Sequence, residues 1–187
     1  MRVVVAASDK HLVSFQNAIA ALGGKQANLA MVRAVNHTAK KARTQVVRAI
    51  ARQSSIPYRI VRAQVRTRLA APGGAPEAEI RASGRPVSLK HMGARQFGYG
   101  VKYKAWGKTQ RMEGAFIWAG RLGSGKFVAN GHVFLRSTSR SLPIEKQEGP
   151  AVAEEMIKDQ SERVFKSLVE TDLAARLRHE IGRLLPG

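Results

Sequence analysis

The spacing of apolar residues changes from helical to alternating at APGGAP (71–76), and that change restricts the available folds. Before it, Leu29, Val32, Ala39, Val46 and Ile50 recur at helical intervals and predict a helix over about 26–53. Ser54 and Ser55 interrupt it, and Pro57 suits the first turn of another helix, with Val61, Val65 and Leu69 along one edge. Upstream, residues 2–7 predict a short strand. Leu12, Phe15, Ile19 and Leu22 predict a helix capped by Ser8 and ended by Gly23-Gly24. Beyond the break the period is two: EIRAS, RPVSL, GVKYKAW, GAFIWA and GKFVANGHVFLR read as strands separated by glycines and basic loops. Gly149-Pro150 then restarts a helix, with Val152, Met156, Phe165, Leu168, Leu173, Leu177 and Ile181 on its buried side up to about 184.

Runs of helices and runs of strands, without strict alternation, define an α+β fold. The expected architecture is N-terminal helices, an antiparallel β-sheet (a meander with a hairpin around 120–126) and a long C-terminal helix. A length of 187 residues fits a single domain. Within it, 1–70 is mainly helical and strongly basic, 76–136 is the sheet, and 150–184 is the last helix.

Charge narrows the partners. Lys and Arg number 32 against 13 Asp and Glu, a formal net charge of +19. Residues 1–142 hold 25 of the bases and 4 of the acids, whereas 143–187 hold 7 and 9. Over 25–70 there are eleven bases and no acid. Arg33, Lys40, Lys41, Arg48 and Arg52 recur opposite the apolar stripe of the long helix, and Arg59, Arg62 and Arg66 line the next one. A merely solvated helix face normally mixes signs, with acids four residues from bases. This one points to a polyanion, either nucleic acid or an acidic protein surface. Tyr58 is the one aromatic among these bases, so contact with the phosphate backbone is favoured over base stacking.

The run GRLGSGKF (120–127) comes close to a phosphate-binding loop. Such a loop needs a hydroxyl after the lysine to hold magnesium and a helix to follow at once. Here Phe127 takes the hydroxyl position and alternating FVANGHVFL follows, which describes a hairpin tip. The five histidines lack ligand spacing, and the basic half is almost free of carboxylates. No catalytic residue, metal site or cofactor is expected. The chain has no cysteine and therefore no disulfide. Its opening apolar run is too short for a secretory core and no other could span a bilayer, so synthesis in the cytoplasm and no membrane contact are expected.

The succession GAFIWA (114–119), glycine-bearing hairpin, GHVFLR (131–136) and LPIEKQEGPAV (142–152) resembles the minor tail protein Z family of long-tailed bacteriophages and prophages. That family's recurring elements are a G-A-F-I strand, a second strand ending in a base, and L-P-I followed shortly by G-P-[SA]-V opening a helix. GVKYKAWGKTQRMEG and the serine-proline step at 53–57 fit the same pattern, which covers roughly 25–182. The resemblance implies a structural virion protein and not an enzyme. It implies tail completion at the head-proximal end, in a homo-oligomeric ring, taken as a hexamer, beside the tail terminator, tail tube and head–tail connector, around the channel for genomic DNA. Arg121, Lys126, Leu142, Pro143, Ile144, Gly149 and Pro150 then become candidate subunit contacts, although Pro143, Gly149 and Pro150 could equally serve to steer the chain into its last helix. The alternative on charge alone is a cellular nucleic-acid-binding protein of ribosomal or chromatin type.

Overall fold

The computed structural model describes residues 2–6, 24–117 and 130–184, and its longest element is helix α1 (Gly24–Ser54). No proline interrupts these 31 residues, and alanine, the best helix former, recurs on the inward side. Ala27, Ala30, Ala34, Val35, Ala39, Ala42, Val46, Val47 and Ile50 are buried. Helix α4 (Asp159–Gly182) packs antiparallel along this face. Ile181 meets Ala27 and Ala30, Leu173 and Leu177 meet Ala34, Val35 and Ala39, and Phe165 and Leu168 reach the cluster around Val46 and Ile50. Small side chains on α1 let the two axes approach closely, since interaxial distance follows the residues at the contact.

Nine strands form three antiparallel groups among the described residues. Strand β3 (Glu77–Ala82) lies between β1 (Arg2–Ala6) and β2 (Val65–Arg68). Strand β9 (Ile144–Ala151) lies between β4 (Pro86–Ser88) and β8 (Val133–Arg136). The third group is a meander of β5 (Arg95–Phe97), β6 (Gly100–Ala105) and β7 (Lys108–Glu113). The main core gathers Val46, Val47 and Ile50 of α1 with Val65, Ile80, Val87, Leu89, Val101, Val133, Val152 and Met156.

The second helix is shorter than its apolar spacing suggests. Helix α2 (Tyr58–Gln64) stops where Val65 enters β2 opposite Ala82, and Leu69 is exposed. Val65 and Thr67 alternate with Arg66 and Arg68, a strand pattern hidden under the i, i+4 spacing of Val61, Val65 and Leu69. Two side chains of α1 then catch the break segment. Asn36 donates to Ala70 O (3.0 Å) and accepts from Ala70 N (2.8 Å), and Asn28 does the same for Gly74 O (2.9 Å) and Gly73 N (3.1 Å).

At the other end, the expected restart of a helix at Gly149-Pro150 is corrected. Both residues belong to β9, helix α3 (Val152–Met156) follows, and the helix is broken before Asp159, whose φ is +48°. Gln53, at the end of α1, stabilises this break. Its Nε2 donates to Glu155 O (2.8 Å) and Oε2 (3.0 Å), and its Oε1 accepts from Ser161 N (3.2 Å). Backbone groups orphaned by the break are thereby satisfied from outside. The helix expected over 8–22 and the hairpin at 120–126 lie outside the described residues.

Candidate nucleic-acid interface

Because α1 buries one side, its charged residues share the other. Arg33, Lys40, Arg48 and Arg52 are exposed along it, with His37 and Thr44 between them at helical spacing. Arg59 and Arg62 are exposed on α2 and Arg66 on β2. Among the described residues no carboxylate pairs with any of these seven cations.

Arg43, absent from the repeating stripe, organises the site. Its Nη2 donates to Val65 O (2.9 Å) and Arg62 O (3.1 Å), and its Nε donates to Val65 O (3.1 Å). A guanidinium at the carbonyl end of α2 satisfies groups the helix leaves bare and suits the negative end of its dipole. It also holds the α2–β2 junction against α1. Lys40, Arg62 and Arg66 thus line one open groove of about 610 Å³, together with Thr44, Thr67 and Leu69. Arg33, Arg48, Arg52 and Arg59 stand outside its lining.

Lys41 differs from the others. It forms an ion pair with Asp172 of α4, which also accepts from Thr38 Oγ1 (2.8 Å) and lies 3.6 Å from His37 Nδ1. Burial alone would raise the Asp172 carboxyl. Hydrogen bonds from Lys41 and Thr38, with the charges of Lys41 and His37, outweigh it and hold the group below its ordinary range. This cation closes the α1–α4 seam.

Of the candidate subunit contacts, Leu142, Pro143 and Ile144 are exposed around the start of β9. Pro150 is buried and Gly149 is packed inward: a Cβ there would lie 2.6 Å from Met92 Sδ and 3.0 Å from Val87 O. Arg121, Lys126 and the rest of GRLGSGKF fall outside the described residues.

One Ser–His contact occurs away from the groove. Ser88 Oγ lies 2.7 Å from His132 Nδ1, and Lys90 Nζ lies 3.2 Å from Nε2. An ammonium can only donate, so Nε2 accepts and the ring proton sits on Nδ1, which donates to Ser88. Burial, then Lys90, Lys146 and His91, push the His132 pKa down and keep the ring neutral. In this tautomer the imidazole cannot take the serine proton. The pair therefore serves as a strut between β4 and the start of β8.

Among the described residues no group of three His, Asp or Glu is placed to hold a metal ion, and no helix is long and apolar enough to cross a membrane. A family model described as prophage minor tail protein Z matches residues 14–186. No curated protein and no solved structure matches the chain.

Proposed function

The chain belongs to the prophage minor tail protein Z family, and from that premise we propose that it completes the tail at its head-proximal end as a ring around the DNA channel. Within the ring, exposed cations of α1, α2 and β2 hold the phosphate backbone without reading sequence. The observation that carries this reading is the groove where Lys40, Arg62 and Arg66 converge with no carboxylate beside them among the described residues. Cations so placed release counterions when phosphate replaces the ion atmosphere, which gives affinity without base contacts. The tail terminator, tail tube and head–tail connector are the expected neighbours. The exposed Leu142-Pro143-Ile144 turn is a candidate contact with one of them or with the next subunit.

Deleting the gene from its phage tests the placement. Heads and tails should both form and the particles should be non-infectious. Full infectivity without the gene overturns the tail-completion role.

A further inference from the structure

The β5–β6–β7 meander carries a cationic surface separate from the helices. Val101 and Ala105 are buried, and Tyr103 and Met112 pack against the core. Alternation therefore sends Lys102 and Lys104 to the outer face. The register sets Arg95 opposite Lys102, and Lys102 opposite Arg111. Three cations thus stand side by side on strands about 4.8 Å apart. Like charges directly opposite one another destabilise a sheet. Among the described residues none of the three is paired with a carboxylate, and the one acid of this face, Glu113, lies at its end opposite Gly100.

Two aromatic rings hold two of these cations, Lys102 and Arg111, in place. Phe97 and Tyr99 stack with centroids 5.7 Å apart and planes 4° from parallel. Lys102 Nζ lies 4.8 Å from the Phe97 centroid, and Arg111 Cζ lies 5.4 Å from that of Tyr99. Cation–π contact orients a charge without neutralising it. The turn behind the rings depends on Gly100, where φ is +147° and a Cβ would lie 2.1 Å from Met112 O. Each ring stacks on the other and carries a cation, so the surface presents its charges beside two partly exposed rings.

We propose that this face, centred on Arg95, Lys102 and Arg111, is a second contact for the phosphate backbone of duplex DNA, distinct from the α1–α2–β2 groove. It extends the DNA reading given above and rests on it for the identity of the polyanion. The cost of three aligned like charges is offset when phosphates lie across them.

The test is fluorescence anisotropy of the full chain with a labelled duplex of about 30 base pairs over a salt series, because each neutralised phosphate contributes about 0.9 to the slope of log affinity against log salt. The variant R95Q/K102Q/R111Q should lower that slope by about 2–3, while the charge-preserving R95K/R111K keeps it. Its melting temperature should equal or exceed that of the wild type, since repulsion is removed. Should the triple variant fail to fold, Arg95→Gln alone should lower the slope by about 1. A separate variant, K40Q/R62Q/R66Q, reports on the groove. If the meander variant lowers the slope and the groove variant does not, the meander contact stands and the groove reading fails. An unchanged slope in the meander variant overturns the proposal, including the case where that variant instead loses self-association or an acidic protein partner.

Discussion

Asp172 has three donors or cations around one carboxylate, and its removal is felt at the buried one first. Thr38 is fully buried, so Asp172→Ala leaves its hydroxyl without an acceptor and should cost about 1–3 kcal/mol in urea unfolding. Thr38→Val removes the hydroxyl itself and should cost less, near 1 kcal/mol. If the two substitutions prove equally costly, the hydroxyl is not the group that suffers. The pH dependence has the same sign at Asp172 and His132, whose folded pKa values both lie below their ordinary ones. A depressed value means the unfolded chain binds the proton more readily, so stability is fully present above the ordinary pKa and falls as pH drops through it. For His132 the loss begins below about 6.5 and for Asp172 below about 4. The wild-type urea midpoint should therefore fall between pH 7 and pH 5.5, and His132→Asn should flatten that step. A variant with an unchanged step would assign it to another group. Neither residue stood out in the sequence: Asp172 was one of few aspartates and His132 one of five scattered histidines. Their importance arises from partners 134 and 44 positions away, respectively.

At the scale of elements, α1 was legible because one period runs unbroken through 31 residues, and its apolar stripe could only be a buried face. The basic residues expected to meet a polyanion lie on the exposed side, and Lys41 differs from them in being paired with Asp172, because whether a surface lysine stays free depends on the helix beside it. The α2–β2 junction was not legible, since Val65 satisfies both periods and the deciding contact comes from Arg43, off the stripe. Arg43→Met should cost about 1.5–3 kcal/mol, as for hydrogen bonds from a charged donor, and should weaken duplex binding by displacing Arg62 and Arg66. Arg48→Gln, on the exposed side, should stay within about 0.5 kcal/mol of wild type. A similar cost for both would deny Arg43 its anchoring role. Strands β7 and β9 were hidden for a different reason. KTQRME and IEKQEG are polar along most of their length and read as loops, and only pairing to β6, β4 and β8 makes them strands. The break before α4 carries no proline or glycine and is set by Gln53, on another helix.

For the molecule as a whole, the charge asymmetry bears on how DNA could be held. Residues 1–142 carry more than the whole net charge, 25 bases against 4 acids, while 143–187 are slightly acidic, and α4 pairs one cation, Lys41, with Asp172. A single subunit presents its groove cations over a short stretch of backbone, and a few phosphate contacts give only weak, salt-sensitive affinity. A ring multiplies those contacts on one duplex, so each further subunit binds at high effective concentration. Duplex binding by the wild-type chain should therefore steepen with protein concentration and track assembly in sedimentation. Duplexes of unrelated sequence should bind within a few-fold of one another, because phosphate contacts carry no base information. R33Q/K40Q/R62Q/R66Q should bind DNA less tightly while assembling normally, separating the charge from the ring contacts. Tight binding by an isolated monomer at physiological salt would argue that the cations serve a subunit acting alone, as in a chromatin-type protein, and would remove the physical case for a ring around the channel.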